Sequence, residues 1–355
     1  MAAHRRDVAP AVEVDLSLLS GFEFACLPGC GLCCFTSPRL DPEDAARLES
    51  VAPDALLVDA GSERRLAARP EGGACQFLTD LRCGIHLARP APCREFPISV
   101  HVGTGLQATV VLSCPGLELK PLISYSSGAA SGSFSGLDSE LASLRRRLTP
   151  QVERRRTEAE RRRRRIAREL TEQGRWLEED EVRQQLRGRR LVPRADEYSF
   201  SDPPGVEEGL EFLPMYYDGR AGPVALGNGL GGWEALELSA VGGSRSLGLG
   251  VPPDRPPDLE PTAEELLSSY LGYWLARDGF LAAVQLEMLS TPDGSVLDAV
   301  LDDLHAIGSD VLARGAVRAK LRGRDGLRLT SDEIALGIRA TDQDWLDRPT
   351  WGSRL

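Results

Sequence analysis

"CLPGCGLCC", Cys26 to Cys34, places four cysteines within nine residues, two of them adjacent. The other four are Cys75, Cys83, Cys93 and Cys114, and residues 115–355 hold none. Cysteines that merely fill a core would be scattered along the chain. These eight are confined to its first third, so they are expected to act together.

Within the stretch, Cys26, Cys30 and Cys33 have helical spacing, but Pro28, Gly29 and Gly31 disfavour a regular helix. A loop is the better reading. Its glycines let the backbone wrap tightly and turn N–H groups toward thiolates. If Cys33 and Cys34 are extended, their side chains point to opposite sides. They then serve two metal centres, or one binds metal while the other reacts.

The compartment decides what thiols do. "MAAHRRDVAPAVEVDLSLLS" at the start carries early positive charge, but Glu13 and Asp15 interrupt its apolar run, which makes a poor export signal. No stretch approaches the roughly 20 apolar residues of a membrane span. The expected location is cytoplasmic. Cysteines there are kept reduced, and a dense cluster more often binds metal than forms disulfides.

The downstream cysteines sit in "CQFL" (75–78), "CGIHLARPAPCREFP" (83–97) and "CPG" (114–116). Arg89 and Arg94 bring cations near thiols, which favours the thiolate. Phe35, Phe77 and Phe96 are candidates to wall the site from water. Four thiolates satisfy tetrahedral zinc or hold a [4Fe–4S] cluster. Eight hold two such centres, or one centre plus redox-active thiols. Soft sulfur donors disfavour magnesium, calcium and manganese.

In these elements and their order, residues 26–116 resemble the YkgJ-type CxxxCxxCC cysteine-cluster family, described as zinc- or iron-chelating. The resemblance covers about a quarter to a third of the chain. It implies metal or cluster binding by Cys26, Cys30, Cys33, Cys34, Cys75, Cys83, Cys93 and Cys114, in a structural or redox role. His86, Arg89, Arg94 and Phe96 are the supporting residues, and His86 stands where the family usually has tyrosine. Some family members are flagellin lysine N-methylases. The resemblance therefore also implies methyl transfer from S-adenosylmethionine, aided by an iron–sulfur cluster, as a possible activity.

The rest of the chain reads as an α+β protein. A small, loop-rich, metal-stapled N-terminal domain (1–120) is followed by a linker and basic helices (121–200). A small β-meander and a helical region complete it (201–355). Residues 124–137 read as linker. Asp138 to Gly188 reads as helical, divided where Thr149 caps and Pro150 opens a second helix. Val152, Ala159, Ile166, Leu170 and Leu177 form its apolar stripe. Short apolar runs divided by glycines from Leu210 to Val251 predict an antiparallel meander. "VPPDRPPDLEP" is a rigid connection. Amphipathic helices follow from Thr262, which with Glu265 makes a capping box.

The net charge is −11, which argues against general nucleic-acid binding. Against that background Arg154 to Arg168 is strongly basic. It suits an acidic partner or a protein substrate, or else it is a solvated helix with internal pairs such as Glu158–Arg162 and Glu160–Arg164. Gly227, Gly229 and Gly232 have GxGxxG spacing and are candidates for an S-adenosylmethionine loop. A glycine-rich hairpin reads better, because such a loop must open a helix. His101 and His305 stand alone; Trp233, Tyr273 and Trp274 read as core. No serine-hydrolase elbow, Walker A loop or HExxH is found. Three function classes follow: a cysteine-cluster metal protein, a methylase, and a metal-scaffolded adaptor.

Overall fold

Residues 13–35, 38–52, 54, 56–58, 64–69, 73–126, 138–291, 293–346 and 348–354 are described by a computed structural model. The chain is α+β. Its N-terminal region is loop-rich, and the cysteines sit among short elements. β1 (Arg39–Leu40) precedes α1 (Pro42–Val51), whose N-cap Asp41 accepts from the Asp44 N–H at 2.7 Å. β2 (Leu56–Val58) and β3 (Arg64–Leu66) complete a small antiparallel sheet with β3 in the middle. β4 (Leu78–Thr79) and β5 (Arg82–Cys83) form a hairpin.

That hairpin turns through Asp80 and Leu81, at φ 49° and 56°. Two left-handed residues are what a two-residue hairpin with the natural strand twist needs. A leucine there is uncommon, because its Cβ crowds the backbone. α2 (Ala91–Glu95) carries Cys93. α1 holds the approach to it. Asp44 Oδ2 accepts from the Ala91 N–H at 2.5 Å, and Arg47 Nη1 donates to the Ala88 carbonyl at 2.9 Å.

β6 (Ile98–Val102) and β7 (Leu106–Val110) form a second hairpin. Near the other end of the chain, β14 (Ser353–Arg354) adds to β6. One hydrophobic core runs from Val14 and Leu18 through this hairpin to the C-terminal helices and Trp351. Residue 120 therefore coincides with no break in the core.

α3 (Lys120–Ser126) occupies the start of the expected linker, whose residues 127–137 lie outside the described residues. α4 (Asp138–Glu172) corrects the expected division: it runs as one 35-residue helix through Pro150. Val152, Ile166 and Leu170 are buried. At about 1.5–3 kcal/mol per buried side chain, that face outweighs the roughly 3 kcal/mol cost of an interior proline. Leu177 lies past the helix end. α5 (Glu179–Leu186) follows.

β8 (Met215–Asp218), β9 (Gly222–Gly229), β10 (Gly232–Leu238) and β11 (Ser244–Gly250) form the expected antiparallel meander. β12 (Asp258–Leu259) leads into α6 (Pro261–Ala276). The capping box expected at Thr262 is not formed. Pro261 takes the first helical position, so Glu260 is the N-cap. α7 (Asp278–Glu287), α8 (Val296–Leu321), β13 (Arg328–Leu329, parallel to β12) and α9 (Ser331–Leu346) complete the helical part. Trp233, Tyr273 and Trp274 are core residues, as read. Among the described residues no helix is long and apolar enough to cross a membrane.

Candidate metal centre

The thiols surround a cavity of about 620 Å³, open to solvent. Cys26, Cys33, Cys34, Cys75, Cys83 and Cys93 line it. Phe77 and Phe96 are in its wall with His86 and Arg89. Cys30 and Cys114 are not in the lining; both are buried beside it. All eight cysteines are free thiols.

Backbone geometry delivers these side chains. Gly29 and Gly31, at φ +78° and +62°, fold the 26–31 loop. Residues Leu32–Phe35 then form a 3₁₀ turn. This corrects the extended reading of Cys33 and Cys34. Successive side chains on such a turn are about 120° apart, so both thiols reach one cavity. The Cys75 N–H donates to the Cys34 carbonyl at 2.6 Å, which joins the first cysteine cluster to the second. Cys83 ends the β4–β5 hairpin, and Leu81 at its turn is part of the wall.

N–H groups do turn toward sulfur. Cys30 accepts from the N–H of Leu32, Cys75 from Phe77 and Cys114 from Gly116, each two residues on. Such bonds favour the thiolate, but burial dominates. Burial pushes Cys30 up to about 11, and Cys93 and Cys114 up to about 12. Cys26 and Cys75 are also raised, mainly by burial. Cys33 moves the other way. The Cys34 thiol donates to it and Arg89 lies nearby, so Cys33 is held low while Cys34 is held high.

Arg89 is the cation of the site: its charge opposes the upward shifts of Cys26 and Cys93. Arg94 is not in the wall. Its Nη1 donates to the Arg89 carbonyl at 2.7 Å, so it supports the Arg89 backbone. Phe35 turns away to pack with Leu78, Leu213 and Leu236.

Sequence reasoning missed two cations. Arg69 lies near Cys75 and bridges the Gln76 and Ala240 carbonyls at 2.8 and 2.6 Å. Arg339, on α9, lies near Cys30 and Cys114. Arg339 acts across a long sequence separation, and Arg69, close in sequence to Cys75 and Gln76, also reaches Ala240 far along the chain.

The other candidates fall elsewhere. Gly229 pairs with Gly232 across the β9–β10 hairpin, and a strand follows rather than a helix. The context a nucleotide loop requires is not formed there. His101 Nε2 meets Thr350 Oγ1 at 3.2 Å, and its ring packs edge-on to Trp351. His305 faces Glu197 at 3.7 Å. On α4, Arg162 pairs with Glu158 and Arg164 with Glu160, as read, and Arg163 binds Glu178 and Glu179.

The donor set fits a thiophilic metal. Among the described residues it is six lining sulfurs plus an imidazole, with no carboxylate in the wall. Yet among the described residues no three His, Cys, Asp or Glu side chains are gathered at ligand spacing. The thiols ring the cavity without converging on one point.

Residues 25–114 match the family model CxxCxxCC, described as "Putative zinc- or iron-chelating domain". A domain of this family is present over those residues. No curated protein and no solved structure matches the chain.

Proposed function

We propose that this chain is a thiolate metal protein that holds zinc or an iron–sulfur cluster within residues 25–114. The observation that carries the reading is that six of the eight cysteines line one cavity. The family match over the same residues supports it. Ligands would come from Cys26, Cys33, Cys34, Cys75, Cys83 and Cys93, with Cys30 and Cys114 able to complete a second set.

A bound metal would supply either a structural cross-link or one-electron chemistry. The chain's own residues do the rest. Cys33 offers the most readily ionised sulfur, and Arg89 offsets the negative charge that thiolates bring. Phe77 and Phe96 supply apolar wall beside the sulfurs. Thiols of the loop 26–34 and of the 75–93 segment bound to one metal would tie these two segments to each other. Its binding energy would then count as folding energy.

The test is anaerobic purification, followed by elemental analysis and a visible spectrum of one sample. Iron and sulfide in equal amounts, with broad thiolate-to-iron absorption, mean a cluster. Stoichiometric zinc in a colourless sample means a zinc site. A folded, fully reduced protein with neither metal would sink the reading.

A further inference from the structure

The cavity is much larger than a metal needs. Zinc sits about 2.3 Å from its sulfurs, which leaves no free space between them. A cavity of about 620 Å³ lies instead in the range of small-molecule sites, about 300–1,000 Å³. Its surface is also sorted. Leu66, Phe77, Leu78, Leu81, Ile85 and Phe96 form an apolar wall.

Charge is sorted too. The cavity belongs to a chain of net charge −11, yet among the described residues arginines line it and no carboxylate does. Arg89 lies near the thiols Cys26, Cys33 and Cys93. Arg82 has no such role. It is exposed and lines the cavity, and among the described residues its side chain has no hydrogen-bond or ion-pair partner. The backbone at the neighbouring turn is costly: Leu81 is left-handed and still faces the cavity. Strain of this kind persists where the surroundings hold a side chain in a set place.

We propose that the cavity binds a small amphipathic organic anion beside the metal, its apolar body on Phe77, Leu81 and Phe96 and its anionic group on Arg82. The proposal rests on the metal reading above only for the word "beside"; the ligand site itself stands on volume, lining and charge.

The experiment uses the full chain as purified with its metal. The probe is anilinonaphthalene sulfonate, an apolar aryl amine with one anionic group, read by fluorescence. The uncharged phenylnaphthylamine is the control, and metal content is measured in each sample. Saturable binding of the sulfonate is expected, weakened about tenfold in Arg82→Gln by loss of one charge-assisted contact. The uncharged probe should be indifferent to that change. Leu230→Ser with Leu249→Ser, at exposed apolar positions of the meander that do not line the cavity, should leave sulfonate binding intact.

Three outcomes overturn the proposal: no saturable sulfonate binding, equal binding by Arg82→Gln, or loss of binding in the Leu230 and Leu249 variant. Full metal content without probe binding sinks the ligand site and leaves the metal reading standing. Arg82-dependent binding to a chain that takes no metal supports the ligand site and sinks the metal reading.

Discussion

Arg339 on α9 donates through Nη1 to the carbonyl oxygen of Cys114, and through Nη2 to that of Leu117 at 2.8 Å. A helix more than 200 residues away thus fixes the turn that presents a candidate ligand. Its cation also lies near the Cys30 and Cys114 thiols. Arg339→Met keeps the apolar stem and removes the donors. It should cost about 1.5–3 kcal/mol, the range for hydrogen bonds involving a charged group, in denaturant unfolding of the metal-free protein. Metal affinity should fall as well. Unchanged unfolding would mean the contact adds nothing.

Gly116→Ala should damage the same turn from the other side. A Cβ at Gly116 would lie 2.5 Å from the Ala25 carbonyl oxygen. The clash involves backbone, and the Ala25 N–H donates to the Gly116 carbonyl at 3.0 Å, so neither strand can simply swing away. We expect an overpacking loss of about 1–3 kcal/mol. Pulse proteolysis should show faster cleavage within residues 13–35. Gly29→Ala, with open space around its Cβ, would meet only backbone strain from its φ of +78°. It should therefore cost less.

Stability of the metal-free protein should fall in alkali. The ordinary thiol value here is 9.0, and burial raises Cys30 to about 11 and Cys93 and Cys114 to about 12 in the fold. The folded state therefore holds these protons more tightly than the unfolded chain. Their contribution is complete below pH 9 and is lost as pH rises through 11 to 12. Cys33, held below its ordinary value by the Cys34 thiol and Arg89, works the other way, so denaturant midpoints should climb from neutral pH toward 9 and drop beyond about 9.5. Zinc affinity should do the opposite near neutrality. Each neutral thiol that becomes a ligand releases a proton, so affinity rises about tenfold per pH unit per proton. A pH-independent affinity between 6 and 8 (approximate bounds set by the thiol range) would show that the ligands are already ionised.

The lining of the candidate cavity was legible because it is written in residue types: six of the eight cysteines, Arg89, Phe77 and Phe96 could be named from the sequence and fall together in it. The meander was legible from apolar runs cut by glycines, and the hairpin at Gly229 and Gly232 from the absence of a good helix after it. What failed was local geometry. Cys33 and Cys34 were read as extended because a 3₁₀ turn has no composition signature. Asp80-Leu81 is not a turn sequence by type, since leucine resists positive φ, and only packing against the cavity explains its place. Pro150 looked like a helix start because a buried face across α4 cannot be weighed from sequence. Arg69 and Arg339 were missed for a further reason: each bonds a carbonyl far along the chain, 171 and 225 residues away, respectively, and Arg69 bonds the Gln76 carbonyl besides.

The last prediction separates two arginines that the sequence treated alike. Arg89 lines the cavity and its charge favours ionised Cys26, Cys33 and Cys93. Arg94 touches none of these; it donates to the Arg89 carbonyl from within α2. Removing the first charge acts on the sulfurs directly, while removing the second loosens the backbone that carries the first. Arg89→Gln should therefore weaken zinc binding about tenfold or more, since one pKa unit lost at one ligand corresponds to about 1.4 kcal/mol. Arg94→Gln should lose less affinity and more thermal stability. Lysine at 89 restores the charge without the fork, so Arg89→Lys should recover most of the affinity, whereas Arg94→Lys should recover little, because its role is a directed bond to a carbonyl. Competition with a chromophoric chelator at fixed pH reads all four variants. Equal losses from Arg89→Gln and Arg94→Gln, with no rescue by lysine at 89, would remove charge from the account of this site and leave only packing.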